Sequence, residues 1–247
     1  MRRGEFAARV WSKLLRLEKS AGLLQDGDGV LAAVSGGPDS VCLAHYLVSR
    51  RRKLGLKLSL AYVHHGLRPE ADGEAAFVSR LAAALGLPAS ILKVDARALA
   101  AARGAGIEEA ARKARYEALS REACRLRLNK VAVAHHMDDQ AETVLLNLLR
   151  GGSLRSLAAM PPERTLARKI KLIRPLLALR RADVLEYLRR HGLRYKIDRS
   201  NFETRFLRNW LRMKILPALE SRQPRTAEHF SRLADEAREL LQAHDGI

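Results

Sequence analysis

The sequence predicts an α/β fold: an open, mostly parallel five-stranded sheet with helices on both faces and a small helical C-terminal extension. Short apolar segments alternate with longer amphipathic segments along residues 30–149, as strands and helices alternate in such sheets. Residues 30–34 form an uninterrupted apolar run, which is typical of a strand buried on both faces. Gly86 and Gly151 follow two of the amphipathic segments and predict helix ends there.

Each predicted strand and helix is assigned from its apolar periodicity. The strands are residues 30–34, 58–63, 90–94, 131–134 and 169–173. The helices are residues 6–17, 40–52, 70–85, 107–126, 138–149, 180–191, 205–216 and, as one helix or a pair, 218–243. Because Pro217 predicts a helix end, we divide the chain into a domain of residues 1–217 and a helical C-terminal segment of residues 218–247. That segment is either the start of a further domain or a short tail.

The charge balance points to a polyanionic partner. Of 247 residues, 45 are Lys or Arg and 27 are Asp or Glu, which gives a net charge of +18. Such an excess favours nucleic-acid binding, although a basic solvated surface has the same composition. Aromatic residues make up 5% of the chain, so contacts to phosphates fit better than rows of side chains that stack on bases.

The two cysteines, Cys42 and Cys124, are far apart and have no metal-ligand spacing. Both fall in predicted helices among apolar neighbours, so we expect both thiols to be buried. This cysteine usage fits a reducing compartment. The N-terminal segment is amphipathic and charged, and no apolar run reaches about 18 residues. We therefore expect a cytoplasmic protein that does not span a membrane.

Residues 35–40, Ser-Gly-Gly-Pro-Asp-Ser, join a predicted strand to a predicted helix and indicate a phosphate-binding loop. The two glycines let a phosphate approach the main chain, and the helix start favours an anion. The two serines can donate hydroxyl hydrogen bonds. Because a carboxylate repels bare phosphate, Asp39 predicts a Mg²⁺ ion that bridges phosphates. An ordinary strand-to-helix turn is the alternative, and the Walker pattern of glycines followed by Lys is absent.

Residues 134–143, Ala-His-His-Met-Asp-Asp-Gln-Ala-Glu-Thr, form a second polar segment between a predicted strand and a predicted helix. Asp139 is suited to cap that helix, with Glu142 completing a capping box. Capping alone leaves two histidines and a further carboxylate unexplained. Asp139 and Glu142 are also suited to bind Mg²⁺ or an ammonium group. A zinc site is disfavoured because no third neutral ligand is near in sequence.

These motifs resemble those of a known enzyme superfamily. Ser-Gly-Gly-x-Asp-Ser after the first strand is similar to the pyrophosphate loop of the N-type ATP pyrophosphatases, which cleave ATP to AMP and pyrophosphate. The second segment, followed by Leu-Leu-Arg-Gly, resembles the tRNA(Ile)-lysidine synthetases and their nearest thiolase relatives. Four further segments are similar to blocks of the lysidine synthetases: residues 64–68, 106–116, 174–177 and 198–212. Together the similar segments span about residues 30–219.

The resemblance implies that residues 1–217 are a catalytic domain that uses ATP with Mg²⁺. Its substrates would be L-lysine and the wobble cytidine of tRNA(Ile) with a CAU anticodon. The implied site residues are Ser35, Gly36, Gly37, Pro38, Asp39 and Ser40 for ATP; Asp39 and Asp139 for the metal; Asp139 and Glu142 for lysine; Asp39, Arg115, Asp139 and Glu142 for catalysis; and Arg112, Arg205, Arg208 and Arg212 for tRNA. His135 is a candidate base for the attacking amine.

Two other functions stay open. A tRNA thiolase on the same scaffold would need reactive cysteines or a cysteine-ligated cluster, which two isolated cysteines do not suggest. A non-catalytic RNA-binding module would explain the charge, but carboxylates in two loops near phosphate would hinder simple RNA binding. Many lysidine synthetases carry further C-terminal domains, so a short form and a truncated chain are both open. The sequence specifies no oligomeric state, and a homodimer is open as well.

Overall fold

Six strands form one sheet in the part of the chain that the computed structural model describes, residues 3–64, 71–95, 106–197 and 207–245. The strands are β1 (Gly29–Ala33), β2 (Lys57–His64), β3 (Ala89–Lys93), β4 (Lys130–Ala132), β5 (Glu163–Ala167) and β6 (Ile170–Ile173). Their order is β3-β2-β1-β4-β6-β5, and every neighbouring pair is parallel except β5 and β6. β1 therefore lies inside the sheet, between two parallel neighbours.

Five of these strands confirm the predicted ones, and the sixth, β5, corrects the predicted number. Its sequence, Glu-Arg-Thr-Leu-Ala, is partly exposed at the sheet edge and has no apolar run that would mark a strand. β5 forms because a turn at Lys169, with a φ of 67°, brings it antiparallel to β6. Main-chain pairing across this hairpin, and not the apolar pattern, makes the segment a strand.

The helices lie on both faces of the sheet, as the sequence predicts. They are α1 (Arg3–Ser20), α2 (Pro38–Leu54), α3 (Ala71–Ala84), α4 (Ile107–Arg125), α5 (Met137–Leu149), α6 (Leu154–Leu157), α7 (Arg181–His191), α8 (Leu207–Trp210), α9 (Leu216–Arg222) and α10 (Thr226–Asp245). Alternate residues of β1 point to opposite faces. Val30 and Ala32 pack in the core with α1, α2 and α7, whereas Leu31 packs with α4.

The helix that Pro217 is predicted to end continues past that residue. α8 is followed directly by the π-helical segment Leu211–Ile215 and then by α9, and Pro217 lies in the first turn of α9. Pro217 lies where the π-helical segment passes into α9, and such a change of helical geometry can accommodate a residue that lacks an N–H group. The predicted helix end is therefore wrong.

The C-terminal helices pack on α5. Ala141 of α5, Leu216 of α9 and Ala227 of α10 share a small apolar core with Phe230. The division after residue 217 falls inside α9, and the two-domain organisation stays a prediction. Within the described residues, none of the helices is both long enough and apolar enough to span a lipid bilayer.

Candidate active site

A cleft of about 450 Å³ opens at the carboxyl ends of β1, β2 and β4. The chain places β2 and β3 on one side of β1, and β4 and β6 on the other. Clefts at such switch points are the usual ligand sites of open α/β sheets. The polar side chains along its walls are Ser35, Asp39, Ser40, Tyr62, Glu74, Arg115, His135, Asp139, Arg181, Lys196 and Arg212.

The loop of residues 35–40 joins β1 to α2 at the edge of this cleft. Gly36 has a φ of 86°, and a Cβ atom added there would lie 3.0 Å from the ring of Phe77. Both the backbone conformation and the available space therefore require glycine. The N–H group of Lys196 donates to the carbonyl oxygen of Gly36 at 2.8 Å, which ties the segment after α7 to the loop.

Two serines belong to this loop, and the buried one, Ser40, makes hydrogen bonds to its main chain. The Oγ of Ser40 accepts from the N–H group of Ser35 at 3.2 Å and donates to the carbonyl oxygen of Gly37 at 2.9 Å. Ser35 is exposed in the cleft, whereas Ser40 is buried. Pro38 begins α2, and the N–H groups after it in the first turn have no intrahelical acceptor. With the dipole of α2, these groups favour a phosphate-like anion.

Asp39 and Asp139 approach the same imidazole. Nε2 of His136 lies 3.7 Å from Oδ1 of Asp39 and 3.6 Å from Oδ2 of Asp139. Oδ1 of Asp39 is buried and makes no hydrogen bond with the described residues. Burial and the charge of Asp139 raise the pKa of Asp39, although His136 acts in the opposite direction. A buried carboxylate oxygen without a partner, beside a second carboxylate, is suited to a divalent cation that phosphates also ligate.

The start of α5 is capped by His136 and not by Asp139. Nδ1 of His136 accepts from the N–H group of Asp139 at 3.3 Å, and Oδ2 of Asp139 accepts from the N–H group of His136 at 3.0 Å. The capping box therefore exists, but one turn earlier than predicted, and Glu142 lies outside it. Asp139 is the third residue of α5. It uses Oδ2 in the capping box, so its Oδ1 is available for other partners.

Those other partners are two of the arginines predicted to bind tRNA. Arg212 donates from Nη2 to Oδ1 of Asp139 at 2.8 Å and from Nε to Oε1 of Glu142 at 2.6 Å. Arg208 donates from Nε to Oε2 of Glu142 at 3.0 Å. Burial would raise the pKa of Asp139, but the positive charge around it, from His136 and from the two arginines, outweighs burial and lowers the pKa. The predicted lysine-binding carboxylates and two predicted tRNA-binding arginines thus form one network of balanced charge.

His135 is held in one tautomer by Arg174, which is 2% exposed. The Nε–H group of Arg174 donates to Nδ1 of His135 at 3.3 Å, and a guanidinium nitrogen can only donate. Burial, reinforced by the charges of Arg174 and Arg115, lowers the pKa of His135 to about 3. The neutral ring therefore carries its proton on Nε2, so His135 is a hydrogen-bond donor at that nitrogen in this arrangement, and its role as a base stays a prediction.

The family follows from comparison with known proteins. Residues 8–219 match the PP-loop domain family. The chain belongs to the PP-loop family. It is 42% identical over 234 residues to a tRNA(Ile)-lysidine synthase of Dehalococcoides mccartyi, an alignment that covers 93% of this chain and 50% of that protein. It is 45% identical over 201 residues to a protein of the same name from Chromobacterium violaceum, covering 81% of this chain and 45% of that protein.

Solved structures show the same fold at low sequence identity. The U34-tRNA thiolase NcsA of Methanococcus maripaludis, with its [4Fe-4S] cluster, superposes with a TM-score of 0.78 at 18% identity, over 93% of this chain and 78% of that one. An NH3-dependent NAD synthetase of Campylobacter jejuni superposes with a TM-score of 0.53 at 14% identity, over 94% and 95% of the two chains. The PP-loop protein described here spans about half the length of the two synthases it matches.

Four polar side chains of the PP-loop cleft were missed by the sequence argument: Tyr62, Glu74, Arg181 and Lys196. Arg181 offered a usable signal, since the pair Arg180–Arg181 begins α7, where positive charge opposes the helix dipole. The structure explains that pair. The Arg181 N–H group donates to Oδ2 of Asp138 at 2.8 Å, and the Arg180 side chain binds the same carboxylate.

The remaining predicted residues are placed as follows. Arg115 lies on the cleft wall, and Arg112 is exposed one turn away with its guanidinium 5.4 Å from the centre of the Tyr116 ring. Arg205 lies outside the described residues, as do most of the segments 64–68 and 198–206. The structure therefore brings together the 35–40 loop, both predicted metal carboxylates, Glu142, Arg115 and Arg212, and leaves their roles as predictions.

Proposed function

We propose that this PP-loop protein joins L-lysine to C2 of the wobble cytidine of tRNA(Ile) with a CAU anticodon, in the cytoplasm, and cleaves ATP to AMP and pyrophosphate. One observation carries the proposal: the 35–40 loop and the carboxylates of Asp39 and Asp139 share a single cleft. The similarity to proteins named tRNA(Ile)-lysidine synthase supports the choice of substrate.

The chemistry explains why ATP is needed. The C2 oxygen of cytidine is a poor leaving group, so it first attacks the α-phosphorus of ATP, and the bond from that phosphorus to pyrophosphate breaks. The ε-amine of lysine then attacks C2, and the oxygen leaves with AMP. The main work of the protein is to hold the substrates in place and to neutralise phosphate charge. The 35–40 loop is proposed to hold pyrophosphate, and Arg115 to stabilise the adenylated phosphate.

Asp39 and Asp139 are proposed to hold Mg²⁺. The fit rests on the buried, unpartnered Oδ1 of Asp39 and on the nearby Oδ2 of Asp139. Within the described residues, no group of three or more His, Cys, Asp or Glu side chains forms a complete metal cage. Two carboxylates match Mg²⁺, which takes its other ligands from water and from substrate phosphates. Mg²⁺ would neutralise the charge of the phosphates.

Asp139 and Glu142 are proposed to seat the ammonium group of lysine. Glu142 is 1% exposed, and both carboxylates already bind arginine, so an incoming cation must replace one guanidinium. Arg208 is the easier of the two to replace, because its side chain is 36% exposed and that of Arg212 is 21% exposed. The exchange keeps the charge of the network balanced, and a displaced Arg208 becomes free to contact tRNA, as Arg112 and Arg205 are proposed to do.

The competing function is tRNA thiolation, which the fold of the thiolase neighbour also accommodates. The chain has two cysteines: Cys42 is buried, whereas Cys124 is exposed, which corrects the expectation that both are buried. They lie in α2 and α4, on opposite faces of the sheet. A [4Fe-4S] cluster is usually held by four cysteines, so this chain alone lacks the ligands for one.

The decisive experiment incubates the chain with labelled L-lysine, ATP and a tRNA(Ile) transcript, followed by mass spectrometry of the anticodon nucleosides. The proposal expects a lysine adduct on the wobble cytidine and equal amounts of AMP and pyrophosphate. A transcript with the wobble cytidine changed to uridine is the matched control. A sulfur adduct, release of ADP, or AMP formation that does not depend on tRNA would contradict the proposal.

A further inference from the structure

Four guanidinium groups gather around the side chain of Tyr116. Those of Arg112, Arg115 and Arg164 lie 5.4, 5.1 and 5.2 Å from the centre of its ring. Arg174 is the fourth, and the charges of Arg164 and Arg112 act on it. Three of these arginines belong to segments already considered, whereas Arg164 lies on the unpredicted edge strand β5.

Among the residues that the structure describes, this arginine cluster has no carboxylate partner. None of the ion pairs in the described part of the chain joins any of its four guanidiniums to a carboxylate. Elsewhere in the molecule the arrangement is the opposite, since Arg180, Arg208 and Arg212 all bind carboxylates. Four like charges held this close without a partner are unfavourable unless an anion binds among them.

Two buried polar groups lie inside the cluster, and one of them, the Tyr116 hydroxyl, interacts with the guanidinium groups of Arg115 and Arg174. Nε of Arg115 and the hydroxyl group of Tyr116 are buried and make no well-formed hydrogen bond among the described residues, and Tyr116 is 8% exposed. Burial alone would raise the pKa of Tyr116, but the charges of Arg115, Arg112 and Arg174 outweigh it and lower the pKa. Burial, with the charges of Arg164 and Arg112, lowers the pKa of Arg174 to about 10. Both effects indicate an excess of positive charge.

The cluster reaches the cleft from the opposite side to the phosphate loop. Tyr116 packs on the sheet face that α4 covers, whereas α2, which follows the 35–40 loop, packs on the other face. Arg115 lies on the cleft wall, and Arg174 binds His135, which also lies there. The cluster therefore lies across the cleft from the start of α2, which leaves it available for a phosphate of a second substrate.

The geometry points to a phosphodiester-binding site, formed by Arg112 and Arg164 over Tyr116 and next to Arg115, that holds the RNA backbone beside the nucleotide in the cleft. Guanidinium forks match phosphate oxygens, and phosphate contacts set the register of a nucleic acid on a protein. The inference rests on the proposed function for its choice of RNA. It adds the β5–β6 hairpin, through Arg164, to the surface that positions the tRNA.

Arg164→Gln tests the site with little disturbance of the fold, because within the described residues the side chain donates only to the carbonyl oxygen of its neighbour Thr165. Arg168→Gln is the matched control: it removes the same charge from an exposed position on the same hairpin. The affinity for a tRNA(Ile) transcript is measured without ATP or lysine at several salt concentrations, and the affinity for ATP is measured separately.

Arg164→Gln is expected to weaken tRNA binding about tenfold and to reduce the salt slope by about 0.7 to 0.9, the value for one phosphate contact. Arg168→Gln is expected to change the affinity less than about twofold, and neither variant to change ATP affinity. Equal tRNA affinities for the two variants, or a loss of ATP affinity in Arg164→Gln alone, would overturn the inference. Because no chemistry takes place in this assay, the result is independent of whether lysine is ever joined to the tRNA.

Discussion

Residues of the same type in the cleft differ in their protonation and in the direction of their hydrogen bonds. His136 and His135 are adjacent, yet His136 caps α5 and faces two carboxylates, whereas His135 accepts from an arginine. The carboxylates differ in the same way. The pKa of Asp39 is raised by burial, and that of Asp139 is lowered by His136 and the arginines around it. Neighbouring groups therefore give residues of the same type different pKa values and different hydrogen-bonding roles.

Asp39→Asn is predicted to abolish ATP cleavage and leave the fold intact. The amide keeps the shape of the side chain but lacks the negative charge and therefore binds Mg²⁺ much more weakly; since the ion contributes several kcal/mol of charge stabilisation, the rate of AMP formation should fall at least about a hundredfold. Because burial disfavours the carboxylate, the melting temperature should not fall. Pyrophosphate release and thermal melting measure the two effects. Asp26→Asn, at an exposed position, is the control, and an active Asp39→Asn enzyme would falsify the metal role.

His135 is predicted to make stability depend on pH below neutrality. Its folded pKa of about 3 lies below the unfolded value of about 6.5, so between these values the unfolded chain binds a proton that the folded chain does not. The free energy of unfolding should therefore fall as the pH drops from 7 to 5. In His135→Asn, whose amide oxygen can still accept from Arg174, the fall should be smaller by about 2 kcal/mol. Urea unfolding at both pH values measures this, with the exposed His244→Asn as control.

Among the elements, the continuous helix formed by α8, the π-helical segment and α9 supplies the positive charge that neutralises Asp139 and Glu142. The π-helical segment Leu211–Ile215 carries Arg212, and α8 carries Arg208. Both side chains reach the carboxylates of α5. π-Helical turns are frequent at functional sites because they shift side chains out of the regular helical positions. Arg208 of α8 and Arg212 of the π-helical segment therefore neutralise the two carboxylates of α5.

Glu142→Gln is predicted to raise the apparent KM for lysine about tenfold while binding of ATP changes little. The amide keeps the volume of the buried side chain but removes the charge that an ammonium group requires, and one lost charged hydrogen bond is worth about 1.5–3 kcal/mol. Steady-state kinetics with lysine varied gives the result, and thermal melting confirms that the variant is folded. Glu239→Gln, at an exposed position of α10, is the control. An unchanged KM would remove Glu142 from the lysine site.

At the scale of the whole molecule, the distribution of charge bears on the proposed binding of RNA. The net charge of +18 remains after every internal ion pair is counted, since pairing does not alter the total. Arginines that bind carboxylates add little to phosphate binding, whereas arginines without acidic partners, such as those around Tyr116, are free to do so. The distribution of paired and unpaired cations therefore matters as much as their number.

Binding of the tRNA transcript is predicted to weaken steeply with salt. Contacts to about six phosphates would release enough counterions to lower the affinity about a thousandfold between about 50 and 200 mM salt. Filter binding at fixed pH over this range measures the slope. An affinity that is independent of salt would show that the basic surface does not bind the RNA backbone.

Replacing both cysteines is predicted to leave lysine addition intact. Cys42 is fully buried in α2, where alanine leaves only a small cavity, and Cys124 is exposed on α4. Burial raises the pKa of the Cys42 thiol, which keeps it from acting as a thiolate. The Cys42→Ala/Cys124→Ala variant should therefore retain at least about half of its activity by mass spectrometry of the anticodon nucleosides. A folded but inactive double variant would favour thiolation.

The sequence by itself predicted the features that depend on short stretches of the chain. Apolar periodicity located five strands and their helices, and the motif at residues 35–40 identified a phosphate loop, because strand burial and helix starts depend on neighbouring residues. The sequence did not predict the edge strand β5, because the stability of this strand comes from pairing with β6 and not from its own apolar pattern. The helix end at Pro217 was wrong because the local rule for proline ignores the turn that precedes it.

Only the tertiary structure decided how the site residues are paired. Arg212 and Glu142 are 70 positions apart in sequence, and Arg174 and His135 are 39 apart. Nothing in either local pattern shows that the first pair neutralises two carboxylates or that the second fixes a tautomer. Charge and hydrogen-bond direction depend on which groups meet in space, and that is settled by how the helices pack on the sheet. The sequence therefore named many of the residues of the cleft, and the fold added others and determined their partners.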